Sequence, residues 1–184
     1  MKNLLFIAIS ILFLLLTNVG EIHAAENSSG SSAALLKPEP ISYFDNRAKI
    51  LGEFLKQYDS PLVPHTDDFV KYADKYSLDW RLVVSISGVE STFGKAIPYN
   101  SYNGWGWGIY GNNIIRFSSW TEGIQTVSKG LRENYINKWG AEDVYEIGRF
   151  YAASPTWGSR VTYFMEQIDK YKNQKLANNL SISL

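Results

Sequence analysis

Cysteine is absent from this 184-residue chain. That excludes a thiol nucleophile, a thiolate metal site and a disulfide framework. Histidine is nearly absent: of two, His23 falls in an N-terminal leader, which leaves His65. A Ser-His-Asp triad would have to use His65, which sits in the loop Pro64-His65-Thr66 ahead of a helix. An exposed loop histidine is the expectation. No H-E-x-x-H occurs, which argues against a zinc hydrolase. Net charge is zero, with 18 basic and 18 acidic residues, and neither a basic stripe nor a block of like charges is visible. A nucleic-acid partner and a charged disordered tail are therefore not expected. Internal repeats are lacking too.

Aromatic residues, by contrast, are plentiful, with six Trp and twelve Tyr. Core packing is one use for them. Stacking on sugar rings is another, because these side chains combine broad apolar faces with a polar edge. Several stand beside glycines rather than at helical spacing, which favours the second use.

The first 24 residues read as an export signal. Lys2 is the positive end, Leu4 to Leu16 the apolar core, and Ala24 before Ala25 a small residue for cleavage. Ile22 is large where Ala is usual, so an uncleaved anchor is the alternative, although the core is short for a membrane span. Residues 25–41, with their Ser-rich run and Pro38-Glu39-Pro40, read as a flexible linker. The folded unit is expected over 42–173, with 174–184 a frayed polar tail. The product is expected to be secreted or held in the cell envelope. Membrane contact is expected only through an uncleaved N-terminal segment, and a monomer is expected.

Within the folded unit helical spacing dominates. Phe44, Ala48, Leu51, Leu55 and Tyr58 form one apolar stripe. Thr66 is placed to cap a short helix with Asp67 and Asp68 in its first turn. Asp79 is placed to cap the run Leu82-Val83-Val84-Ser85-Ile86-Ser87-Gly88-Val89-Glu90, which is apolar nearly all round and so reads as a buried central helix. Between Ile97 and Phe117 the helical period disappears. Trp105 to Tyr110 and Ile114 to Phe117 read as two short strands around a turn. Helical stripes then resume: Trp120-Ile124-Val127-Leu131-Tyr135, Val144-Ile147-Tyr151, and Trp157-Val161-Phe164-Ile168-Tyr171. The fold class expected is α+β, mainly α, with a small β-hairpin insertion.

Glu90 is the most informative residue. It ends the apolar helix and faces a segment of alternating glycines and aromatics, Gly104-Trp105-Gly106-Trp107-Gly108. A carboxylic acid in such a setting suits general-acid catalysis. Glycosidases use one to protonate the leaving oxygen of a sugar–sugar bond. The competing reading is a structural glutamate paired with Lys95 or Arg81.

Three stretches carry a resemblance. Glu90-Ser91-Thr92-Phe93-Gly94-Lys95 resembles the E-S-x-[FW]-G-K motif of glucosaminidase-type domains in the lysozyme superfamily. Trp107-Gly108-Ile109 resembles the glycine–aromatic segment that follows it there, and Tyr151-Ala152-Ala153-Ser154-Pro155 resembles Y-A-x-D-P, with Ser154 where Asp is usual. The resemblance spans roughly Thr66 to Lys172. It implies a lysozyme-like domain with the hairpin lining a cleft, and an endo-β-N-acetylglucosaminidase acting on peptidoglycan or a related N-acetylated glycan. It implies no cofactor and no metal. It places Glu90 as the catalytic acid and Tyr151 as a supporting catalytic phenol; Tyr151 also fits a core stripe.

Tyr102, Trp105, Trp107 and Tyr110 are the candidate substrate-binding residues. Not all can face a groove, since one side of the segment must face the core. Asn100 and Asn103 read as turn residues. Glu122 is the obvious second carboxylate, but Ser119-Trp120-Thr121-Glu122 is a capping box that explains it without catalysis. With one acid alone, the substrate's N-acetyl group or its 6-hydroxyl would have to act as nucleophile. A lytic transglycosylase or muramidase on the same polymer is thus the alternative, and a non-catalytic peptidoglycan-binding domain is the alternative of another class.

Overall fold

The computed structural model describes residues 45–108 and 113–182, with side chains described through Asn178. The leader, the linker and Tyr110 lie outside the described residues.

The described chain is mainly helical. Helix α1 spans Arg47–Lys56 and α2 spans Thr66–Lys75, joined through a 3-10 turn at Val63–His65. Helix α3 is Leu82–Ser91 and α4 is Trp120–Gly130. The latter continues without a break into a π-helical segment, Leu131–Lys138. Helix α5 is Val144–Tyr151 and α6 is Trp157–Ile182. None of the described helices is long and apolar enough to cross a membrane.

Apolar patterning explains the packing. Val83, Val84, Ile86 and the small Ser85, Ser87 and Gly88 are all buried, so α3 is the central helix. It packs chiefly against α6, which also packs against α5, while α1 and α4 close on α2. Leu51, Leu55, Phe69, Ile124, Val127, Val161 and Ile168 fill the core between them. Burial of such side chains contributes about 1.5–3 kcal/mol each and dominates the stability of a fold of this kind.

Three local expectations are corrected. The hairpin is the first: among the described residues no strand forms, and only a single bridge residue, Asn113, marks the region. Gly106 and Gly108 both take φ +61°, and Tyr102 takes φ +46°. These left-handed positions coil Tyr102–Gly108 into turns that cannot keep strand alternation. The second is the cap of α2, where Thr66 is already helical and His65 holds the cap position without a side-chain bond. The third is the tail. Helix α6 runs on to Ile182 rather than fraying after Asn173. No Gly or Pro interrupts this stretch, and Lys175 ties it back to Glu53 on α1 at 3.0 Å.

Asp79 does serve the start of α3, though from three residues ahead of it. Its carboxylate accepts from the Arg81 N–H at 2.9 Å, and its carbonyl accepts from the Leu82 N–H at 3.0 Å.

Candidate active site

Helix α3 is buried through Gly88, half-buried at Val89 and exposed at Glu90. The apolar run therefore delivers this carboxylate to the surface rather than enclosing it, which corrects the expectation of an apolar setting. A tight stop fixes its position. Thr92, Phe93 and Gly94 all take positive φ, at 52°, 56° and 84°. The N–H of Phe93 returns to the Ser87 carbonyl at 2.9 Å. Ser91 Oγ donates toward the Gly104 carbonyl at 2.7 Å and accepts from the Gly94 N–H at 2.8 Å. One serine thus ties the end of α3 to the glycine–aromatic segment. Ser60 Oγ adds a bond to the Phe93 carbonyl at 2.7 Å. Two adjacent non-glycine residues in the left-handed region cost of order 1 kcal/mol each, a strain found where surrounding contacts over-determine the geometry.

Among the described residues Glu90 forms no ion pair. Arg81 is bound to Asp79 and Asp169, and Lys95 Nζ donates to the Tyr58 carbonyl at 3.0 Å. The partner of Glu90 is an indole: Trp157 Nε1 donates to its Oε1 at 2.7 Å. Its other oxygen faces Gly106, where a Cβ would lie only 3.1 Å from Oε2. Among the described residues Oε2 accepts no hydrogen bond.

Trp157 is itself 2 % exposed and rests on Gly148 of α5. Its ring stacks on Tyr151, with centroids 4.7 Å apart and planes at 23°. Tyr151 is partly buried, and its hydroxyl donates to the Trp105 carbonyl at 2.6 Å. Burial first, then the negative charge of Glu90, then Tyr135, hold the Tyr151 phenol well above its ordinary range. Its hydroxyl stays protonated and acts as a donor, not as a base. The residues from Glu90 through Trp157 and Tyr151 to the Trp105 carbonyl thus form one continuous brace.

The aromatic candidates separate. Trp105 is fully buried, and its indole N–H donates to the Val83 carbonyl at 2.9 Å. Its ring packs on Phe69, Phe117 and Trp120. Trp105 is a core residue, which corrects its assignment to the groove: with no exposed face it has nothing to offer a sugar. Trp107 is half-buried and lies against Tyr135 and Tyr151, with ring centroids at 5.8 and 6.0 Å. It rests on Gly130, where any side chain would collide with the indole. Tyr102 is 39 % exposed, edge-on to Trp120 at 5.6 Å. Asn100 is an exposed left-handed turn residue.

Asn103 does more than make a turn. It is 2 % exposed. Its amide donates to the Trp107 and Ile115 carbonyls at 2.9 and 3.0 Å, and its carbonyl oxygen accepts from the Trp107 N–H at 3.0 Å. One buried side chain replaces the ladder that a hairpin would have supplied.

The remaining candidates are accounted for by local bonds. Ser119 Oγ accepts from the Glu122 N–H at 3.1 Å, and Glu122 Oε2 accepts from Ser118 N and Oγ, both at 2.6 Å. These bonds hold the Glu122 carboxyl below its ordinary value. Asp143 and Glu146 repeat the arrangement at the start of α5. Ser154 is exposed and shares a hydrogen bond with Thr156 at 3.0 Å. His65 and Thr121 both approach Asp68, at 3.5 and 2.6 Å. The carboxylate lies between them, so this is not the Ser–His–Asp order of a triad.

Trp157 is the site residue that sequence reasoning missed. It falls in the apolar stripe of α6, where it reads as core, and it is core; only the reach of its N–H to Glu90 makes it more. A Trp in the first turn of a helix, six residues after Tyr151, is the signal that was available.

A scan against protein-family models finds no match, and a search of curated proteins finds none.

Proposed function

We propose that this chain is an exported glycosidase of the bacterial wall, cleaving β-1,4 bonds of an N-acetylated glycan such as peptidoglycan. The reading takes the fold as a lysozyme-like one of the glucosaminidase type. The observation that carries it is Glu90: a carboxylate at the surface end of a buried helix, in no salt bridge among the described residues. One of its oxygens is held by an indole and the other is open toward a glycine-lined segment.

Glu90 Oε2 carries the proton to the glycosidic oxygen as the bond to the anomeric carbon breaks. Trp157 fixes Oε1 and so selects which oxygen presents the proton. Gly106 lets the substrate approach, because its bare Cα leaves space beside Oε2. The exposed face of Trp107 and the ring of Tyr102 support sugar rings. Tyr151, held neutral, keeps the Trp105 carbonyl and the Trp107 ring in place, which makes it a positioning residue in this scheme.

Glu122 is consumed as a cap, so the positive charge that develops on the sugar is met from within the substrate. Attack by the neighbouring N-acetyl group leads to hydrolysis. Attack by the 6-hydroxyl gives an anhydro sugar and makes the enzyme a lytic transglycosylase. Mass spectrometry of fragments released from purified peptidoglycan separates the two products. Glu90→Gln keeps shape and hydrogen bonding but removes the acid, and is expected to lower the rate at least about a hundredfold with unchanged melting temperature. Undiminished cleavage by the folded variant would refute the assignment. Wild-type protein that binds glycan without cutting it would leave a binding domain instead.

A further inference from the structure

The glycosidase reading leaves unstated whether the glycan is neutral or acidic, and a second feature beside Glu90 bears on that. Trp157 and Arg160 are three residues apart on α6 and so share one face of it. Trp157 reaches Glu90, and Arg160 reaches the adjacent residue of α3: its Nη2 donates to the Val89 carbonyl at 3.3 Å. That is a long bond for an N–H donor and leaves most of the guanidinium uncommitted. Among the described residues no carboxylate lies within ion-pair distance of Arg160, whereas Arg47 and Arg81 each hold two.

Arg160 lines a cavity of about 370 Å³ with Val89, Thr92, Ser159 and Tyr163 on the seam between α3 and α6. Val89 and Thr92 stand on either side of Glu90 in sequence, so the cavity lies within one helical turn of the candidate acid. Gly88 and Phe164 add apolar surface to its lining. Tyr163 is 55 % exposed and offers a ring and a hydroxyl. A guanidinium fork is shaped for a carboxylate, which it can hold through two parallel hydrogen bonds. The serine and threonine hydroxyls suit the polar atoms around such a group.

We infer that this cavity is a subsite for a carboxylate-bearing substituent of the glycan, held by Arg160, and that the enzyme prefers acidic N-acetylated glycan over its neutral counterpart. The inference rests on the glycosidase reading, but its test is separable from it.

The probe is peptide-free wall glycan, in which alternate sugars carry a carboxylate on an ether side chain. It is compared with the same strands after chemical reduction of those carboxylates to alcohols. Wild-type kcat/KM is expected to be about tenfold higher on the acidic strands, the scale of one charge-assisted hydrogen bond. Arg160→Gln should abolish that preference by lowering kcat/KM on the acidic strands alone, and Arg160→Lys should restore part of it. Equal rates of wild type on both strands would overturn the subsite. So would an Arg160→Gln variant that keeps the full preference. A loss of equal size on both strands would show that Arg160 acts on Glu90 or on folding, not on the substituent. If neither strand is cut by the wild type, the glycosidase reading itself fails.

Discussion

Among the described residues three helix ends carry a glutamate, and they treat it in two opposite ways. At the starts of α4 and α5, Glu122 and Glu146 fold back on donors just ahead of their caps, the N–H and hydroxyl of Ser118 and the N–H of Glu142. At the end of α3, Glu90 meets no backbone donor among the described residues and takes a hydrogen bond from a side chain 67 residues away. The difference follows from helix polarity. An N-terminus offers free N–H groups that a nearby carboxylate satisfies, while a C-terminus offers carbonyls that it cannot. A carboxylate at a helix C-terminus therefore stays available unless a cation claims it, and here Arg81 and Lys95 are committed elsewhere while Arg160 turns to the Val89 carbonyl.

The largest expected effect tests what holds the free carboxylate in place. Trp105→Ala should empty the core beneath the loop facing Glu90, costing about 3–5 kcal/mol by denaturant titration. Trp107→Ala, at a half-buried ring, should cost clearly less stability while weakening glycan binding. Equal destabilisation by both would erase the division between core and groove. Next comes Glu90→Gln, with its loss of about a hundredfold in rate at unchanged stability.

Trp157→Phe sharpens the comparison further, because it keeps a ring on Tyr151 while removing the N–H together with part of the indole's buried volume. Loss of a hydrogen bond to the carboxylate that forms as Glu90 gives up its proton is worth about 1.5–3 kcal/mol. The expected result is a fall in kcat of about tenfold or more with KM little changed. A rise in KM alone would mean that the indole binds substrate and does not position the acid.

The smallest effect belongs to the caps. Glu122→Gln should retain full activity and nearly full stability, since Gln also serves in a capping box. The sign of its pH dependence is fixed by the direction of its shift. The Ser118 hydrogen bonds depress the folded-state pKa of Glu122. Its contribution is therefore fully present above the ordinary carboxylate range and fades as pH falls through the depressed value. Melting temperature against pH for wild type and Glu122→Gln should converge in acid. A collapse in turnover by the variant would make Glu122 a catalytic base after all.

How much of this was legible in sequence depended on the range of the interaction. Helix stripes and the Ser119–Glu122 cap are local, and their periods and spacings name them directly. Glu90 stood out because a polar residue closed an apolar run. The hairpin failed because alternating Trp and Gly imitates a strand, while the backbone is decided by left-handed positions and by Asn103, whose bonds reach across 12 residues to Ile115. The Trp157–Glu90 bond spans 67 residues, and no local pattern encodes it.

The π-helical segment gives chain length a meaning that composition does not have. Leu131–Lys138 sets how Tyr135 meets Trp107 and Tyr151. Removing one residue there would change the rotation of everything that follows by roughly a quarter turn around the helix axis. Tyr135, and Trp139 packed on it at 4.8 Å, would shift against Trp107 and Tyr151 without any aromatic residue having been altered. Insertions and deletions, more than substitutions, are the changes this part of the protein can least absorb.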